Sequence, residues 1–418
     1  MRLKLHWQIL IAMGVGIVVG IIFQLVYKGA PTGWLFGTVT SLGTIFIRLL
    51  KMVIVPLIFT SIVTGVSGVG GGKSLGRLGG KTLLYYITTS LFAILIGLTL
   101  TNLIHPGVGV SLGAASQFNP ESIQKPGSPA AILIRMIPTN PVKAASSGDM
   151  LGLIFFSIFL GAVITRLKPQ YRDTLRGLFE ALFGAIMKVT EMVIKLAPLG
   201  VLGLITKAVA TSGFDLFAAV GKYMLTIAAG LSIHLLIVLP LLFLLLTRRS
   251  PFTHYRAMAS AMATAFSTSS SNATLPVTMR CIERNAGVSN RISSFVLPLG
   301  ATVNMDGTAL YECAGVIFIS QVLGIHLSLS QQFIVVLTAL LASIGAAGIP
   351  SAGLVMIFIV TQAVGFKDTD VAMIIGTMLA VDRPLDMFRT MVNVTSDSVG
   401  TVVIAKSEGE KVLYKNME

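Results

Sequence analysis

Runs of roughly twenty apolar residues, each long enough to cross the hydrocarbon core of a bilayer, recur from one end of this sequence to the other. Only 11% of the 418 residues are charged and 54% are hydrophobic, with a mean hydropathy of +0.85, against roughly 25% charged in a soluble domain. Water cannot be the solvent for most of this surface. The expected fold class is all-α integral membrane, with eight transmembrane helices, two re-entrant helical hairpins and a lipid bilayer as partner.

Apolar helical segments fall at about 7–27, 35–67, 82–104, 128–166, 173–207 and 215–247, with Pro56, Pro198 and Pro240 as candidate kinks. Residues 105–127 are rich in Pro, Gly and Ser and read as a loop. The stretch Met1–Lys28 starts basic, but its apolar run is too long for a cleaved leader and reads as a retained first helix. The net charge of +14 sits in short connections rather than on one polar face, so nucleic acid is not the expected partner. The clusters are Arg2 and Lys4; Lys73, Arg77 and Lys81; Arg166, Lys168, Arg172 and Arg176; and Arg248, Arg249 and Arg256. The positive-inside rule puts them, and both termini, in the cytoplasm of a multi-pass cell-membrane protein. Cys281 and Cys313 show no metal or redox spacing.

Beyond residue 250 the charges become more informative. Arg248, Arg249 and Arg256 precede an apolar segment, 251–282, that Arg280, Arg284 and Arg291 follow, so both flanks want the same side. That makes it a re-entrant hairpin with Ser267-Thr-Ser-Ser-Ser-Asn-Ala-Thr274 at its tip, and polar backbone at that depth must line a cavity. A helix over 289–324 contains Asn304-Met-Asp-Gly-Thr308 and is expected to break there. Residues 329–363 form a second hairpin around Gly345-Ala-Ala-Gly-Ile-Pro-Ser-Ala-Gly353, reached from the opposite side. Two hairpin-plus-helix units of opposite direction are the pattern of an inverted-repeat transport core, and interrupted segments point to its binding site.

The last helix, 369–406, carries Asp382, Asp386, Arg389, Thr390, Asn393 and Asp397. At about 100° per residue these positions share an arc of roughly 100°. A charge at mid-membrane costs roughly 2.5 to 3.5 kcal/mol on the gentlest scale, so such a face must be paired or wet. A structural ion-pair network would meet that requirement; a binding site would also explain why the face lies opposite two hairpin tips. Arg389 offers a planar fork for a carboxylate, Asp386 can hold an ammonium, and Ser269, Ser270 and Ser271 supply hydroxyls and helix-terminal amides for a second carboxylate. Asn304, Asp306, Asn393 and Asp397 have the oxygens a hard cation needs, and Tyr86, Thr89 and Ser90 place hydroxyls on one face of the third helix. The solute that fits is a small acidic amino acid.

Four motifs, Ser269-Ser-Ser-Asn-Ala-Thr-Leu-Pro276, Asn304-Met-Asp-Gly-Thr308, Ala347-Gly-Ile-Pro350 and Asp386-Met-Phe-Arg-Thr-Met-Val-Asn393, resemble in order and over nearly the whole chain the dicarboxylate/amino acid:cation symporters, the glutamate transporter family. The resemblance implies sodium-coupled symport of L-aspartate or L-glutamate, with no organic cofactor. It also implies a homotrimer whose scaffold, 1–77 and 107–212, holds a transport domain, 78–106 and 213–418, that moves as an elevator. It implies substrate contacts at Ser269, Ser270, Ser271, Thr308, Ile349, Pro350, Gly353, Asp386, Arg389, Thr390 and Asn393. Three sodium sites follow in the same way: Gly300, Asn304, Asn393 and Asp397; Thr302, Met305 and the carbonyls of Ser343, Ile344 and Ala346; and Tyr86, Thr89, Ser90, Asn304 and Asp306. Glu312 stands where sodium-only relatives carry glutamine, which leaves proton co-transport or potassium counter-transport open. Arg383-Pro384 is unusual inside the last helix and predicts a local kink, with the guanidinium near the serine hairpin.

Other readings fare less well. A proton-coupled C4-dicarboxylate carrier of the same fold needs no Asp386, a neutral exchanger no Arg389, and both residues are present. A hydrolase built from Ser269, His254 and Asp306 lacks any supporting spacing, and Gly68-Val-Gly-Gly-Gly-Lys-Ser74 misses a phosphate loop because Ser67 takes the first glycine's place. A channel would conduct continuously, whereas coupling through a closed site saturates.

Overall fold

The computed structural model describes residues 5–27, 33–68, 73–110, 134, 137–147, 149–212, 215–345, 352–366, 368–410 and 414. Among them all regular structure is helical: α1 (Leu5–Tyr27), α2 (Trp34–Ser67), α3 (Lys73–Ile104), α4 (Pro141–Ser147), α5 (Met150–Ile164), α6 (Pro169–Ile194), α7 (Ala197–Ser212) and α8 (Asp215–Ile233). A π-helical turn, His234–Val238, leads into α9 (Leu239–Thr247). There follow α10 (Pro251–Thr268), α11 (Ser271–Arg284), α12 (Asn290–Val303), α13 (Asp306–Val322), α14 (Leu329–Gly345), α15 (Ala352–Ala363) and α16 (Asp368–Ser407).

Several expectations are met and several are redrawn. Among the described residues of the expected 128–166 helix, Pro141–Ser147 and Met150–Ile164 are separate helices, because Asp149 starts the second by accepting from the Gly152 amide at 3.3 Å. The expected 173–207 segment is bent by 52° between α6 and α7, with Pro198 in the first turn of α7, where its missing N–H is harmless. Pro240 lies just past the π-helical turn, which absorbs the carbonyl its ring displaces. Pro56 lies within α2 without ending it. Pro384 likewise does not interrupt the 40-residue α16.

The packing falls into two neighbourhoods. Helices α1, α2, α5, α6 and α7 contact one another, and α3 and α8 to α16 do the same. Small residues allow the close approaches: a Cβ on Gly20 of α1 would lie 2.6 Å from Val209 of α7, so the Gly16-x-x-x-Gly20 spacing is used. α16 touches most elements of the second neighbourhood and also α7. Residues 77–104 and 218–247 are each long and apolar enough to cross a membrane as one span.

Candidate functional site

Each polar element of the site begins or ends a helix. α10 and α11 are joined by a two-residue turn, with Ser269 in the left-handed region (φ 52°) and Ser270 extended. Ser270 caps α11, its hydroxyl accepting from the Ala273 amide at 3.2 Å. α12 ends at Asn304, whose extended backbone leaves helical carbonyls unpaired, and α13 restarts at Asp306, an acid in a first turn where the helix dipole favours it.

His254 Nε2 lies 2.9 Å from Ser398 Oγ, which fixes the register of α10 on α16. Because α16 ends nine residues beyond Ser398, the rest of α10 packs along it only by running back toward Asp382 and Asp386. Fourteen residues at about 1.5 Å each bring the serine turn to the level of those carboxylates.

Arg389 is the centre of this region. It is 1% exposed, and its Nη2 donates to Asp382 Oδ1 at 3.0 Å and Asp386 Oδ1 at 2.9 Å. The guanidinium lies over Tyr311, its Cζ 3.8 Å from the ring centroid. Its Nε and Nη1, the Ser269 hydroxyl and Asp382 Oδ2 are buried with no hydrogen-bond partner among the described residues. A Cβ on Gly353 would lie 2.6 Å from Nη1, so α15 comes directly onto the same guanidinium. Arg383, expected near the serine hairpin, places its Nη1 3.6 Å from Asp386 Oδ2.

The expected cation ligands gather on the broken helix. Asn304 Nδ2 donates to Asp397 Oδ1 at 2.9 Å and to Ser396 Oγ at 3.0 Å. A Cβ on Gly300 would lie 2.5 Å from Asp397 Oδ1 and 2.6 Å from the Tyr86 hydroxyl, so these three groups occupy one point. Asp306 Oδ1 accepts from Ser90 at 2.7 Å and Thr89 at 3.2 Å, and Asn304 Oδ1 lies 3.4 Å from Thr89 Oγ1. Tyr86 donates to the Val296 carbonyl at 2.8 Å, its hydroxyl on the Gly300 side of the site.

Asn393 joins the two regions. Its Oδ1 accepts from the Gly307 amide at 2.8 Å, and its Nδ2 reaches Met305 Sδ and Thr308 Oγ1, each at 3.3 Å. Thr390 is buried beside Arg389 on α16. Thr302 turns elsewhere, donating to Leu299 O at 3.0 Å and lining a cavity of about 350 Å³ with Ser61, Thr64 and Arg176. Ser343 donates to its own helix at Leu340 O, and Ile344 packs against the apolar core. Ala346, Ile349 and Pro350 lie outside the described residues. Glu312 is fully buried, and neither carboxyl oxygen has a hydrogen-bond partner among the described residues.

Three groups in direct contact with the site were missed in the sequence. His234, at the start of the π-helical turn, places Nε2 3.0 Å from Asp306 Oδ2. Tyr311 supports Arg389 from beneath, and Tyr223 in turn donates to the Tyr311 carbonyl at 3.3 Å. Ser396 orients Asn304. Only His234 carried a signal, as a lone imidazole in an apolar run.

Residues 5–407 match the sodium:dicarboxylate symporter family. Excitatory amino acid transporter 3 of Mus musculus is 37% identical, with 97% of this chain and 86% of that protein covered. The proton/glutamate-aspartate symporter of Escherichia coli K12 is 36% identical, covering 97% of this chain and 93% of the relative. Excitatory amino acid transporter 4 of Mus musculus is 36% identical over 87% of this chain and 76% of its own length.

Proposed function

The chain belongs to the sodium:dicarboxylate symporter family, and on that premise we propose that this multi-pass membrane transporter, which is not an enzyme, carries L-aspartate or L-glutamate by secondary active symport with sodium. The observation that carries the reading is Arg389, whose Nη2 is held by two carboxylates while the buried Nη1 and Nε have no hydrogen-bond partner among the described residues, which leaves N–H donors for a third carboxylate. The substrate's side-chain carboxylate meets the Nη1 donors of Arg389, its ammonium meets Asp386, and its α-carboxylate meets the serine turn and the first amides of α11. Relatives named for excitatory amino acid and for glutamate-aspartate transport support the substrate class.

Sodium is cargo here. Asn304, Asp397 and the carbonyls around Gly300 form one oxygen set, and Asp306, Thr89 and Ser90 another. Asn393 reaches from the substrate face of α16 to the restart of α13, so a cation that orders the break also orders the substrate site. By linkage each ligand then raises the other's affinity by one shared factor.

The same reading assigns 1–77 and 107–212 to a scaffold and 78–106 and 213–418 to a moving transport domain, in line with the two packing neighbourhoods. It includes the homotrimer, the elevator motion, eight spans with two hairpins, and cytoplasmic termini. A second coupling mode is favoured by Glu312: a buried carboxyl whose two oxygens have no hydrogen-bond partner among the described residues holds its charge at a cost of several kcal/mol unless a cation or proton joins it. Proton coupling through Glu312 would resemble the relative named a proton symporter.

Uptake of radiolabelled L-aspartate and L-glutamate into proteoliposomes, under separately imposed sodium and proton gradients, tests the proposal. Sodium-driven uptake that Arg389→Ala abolishes is the expected result. Proton-driven uptake lost in Glu312→Gln selects the second mode, and no uptake of either amino acid under any gradient rejects the substrate assignment.

A further inference from the structure

One groove on the lipid-facing side of the molecule plays no part in the reading above. It lies between α3, α9 and α16 and holds about 300 Å³. Its walls are Leu84, Leu242, Leu246 and Ile404, and its floor includes Thr88 and Thr89. Around it α3 and α9 expose Leu91, Leu241 and Leu245, on the two segments that can cross a membrane as single spans, so the surrounding solvent is hydrocarbon. Apolar walls open to hydrocarbon accept an acyl chain at no desolvation cost.

The mouth is basic. Lys81 donates to Glu408 at 2.6 Å and to the Ser407 carbonyl at 3.1 Å, and Arg77, 65% exposed, reaches the same Glu408 at 2.7 Å. Lys406 donates to the Thr247 carbonyl, which draws the end of α9 to the same rim. Arg248 and Arg249 follow immediately, exposed and with no salt-bridge partner among the described residues. Arg77 and Lys81 thus share the Glu408 carboxylate, while Lys406, Arg248 and Arg249 add three more positive charges at the neighbouring end of α9.

We propose that this groove binds one anionic phospholipid, its acyl chain between Leu84 and Leu246 and its headgroup at Arg77, Arg248 and Arg249. The charge of the mouth selects the headgroup, and the shape of the groove selects a single chain. The floor residue Thr89 lies 3.2 Å from Asp306 Oδ1, so the bound chain sits directly behind that contact.

The test needs no transport. Trp7 and Trp34 are replaced by phenylalanine, Leu246→Trp is introduced as a reporter at the groove, and Leu84→Trp serves if the first variant folds poorly. Emission is quenched with brominated phosphatidylglycerol or brominated phosphatidylcholine. The expected result is at least about fivefold tighter binding of phosphatidylglycerol, falling about fivefold for each charge removed in Arg248→Gln and Arg249→Gln. Equal quenching by the two lipids would overturn the proposal. So would a preference that survives both arginine substitutions, or one matched by a Leu103→Trp reporter at the far end of α3.

Discussion

Gly300→Ala isolates the cation site from the substrate site. The added methyl would lie 2.5 Å from Asp397 Oδ1 and 2.6 Å from the Tyr86 hydroxyl, where ordinary contact begins at 3.4 Å. The Asp397 carboxylate must therefore retreat by about 0.9 Å, stretching its 2.9 Å bond from Asn304. Overpacking of this size costs about 1 to 3 kcal/mol, which is a loss of about 5- to 150-fold in sodium affinity. Because Arg389, Asp386 and the serine turn are untouched, saturating sodium should restore aspartate affinity to within about twofold of wild type. The assay is aspartate binding by purified protein across a sodium titration, with Gly221→Ala, which meets nothing within 4 Å, as control. A folded Gly300→Ala protein with unchanged sodium dependence would refute the placement of the cation beside Gly300.

Arg389→Ala leaves Asp382 and Asp386 buried without their shared cation, a cost of about 3 to 5 kcal/mol, and should abolish acidic substrate binding while lowering thermal stability; retained binding counts against the fork. His234→Ala removes the orienting partner of Asp306 and should raise the sodium needed for half-maximal binding by about 10- to 100-fold, read in the same titration. Lys81 first, and then Arg77, hold the Glu408 carboxyl below the usual carboxylate range. Its stabilisation is thus present above the unfolded value of about 4.3 and fades as pH falls through the lowered folded value. Glu408→Gln should lower the melting temperature at pH 7 and lower it progressively less as pH falls below the ordinary carboxylate value; a drop that does not shrink with pH would deny the charge a role.

How legible these features were in the sequence depended on their range. The break at Asn304-Met305 announced itself, because a carboxylate, an amide and a glycine cannot sit idle in an apolar run. The Ser269-Ser270 turn was equally plain, since arginines on both flanks forced the chain to return. Local pattern could not show that Asp149 would start a new helix inside 128–166, where hydropathy alone reads one span. Nor could it show that the turn before Pro240 would carry His234 onto Asp306, a contact across 72 positions, or that Tyr311 would lie beneath Arg389. Arg383 illustrates the same limit: its place on α16 was read correctly, but its contact with Asp386 depended on a rotamer chosen in three dimensions.

The central claim is that acidic amino acid and sodium are coupled through the broken helix and Asn393. Its most direct test is a paired titration of purified protein, measuring L-aspartate affinity as sodium is varied and sodium affinity as L-aspartate is varied. With such coupling, each ligand tightens the other by the same factor, and Asn393→Ala reduces both factors together. Aspartate affinity independent of sodium in the wild-type protein would contradict it.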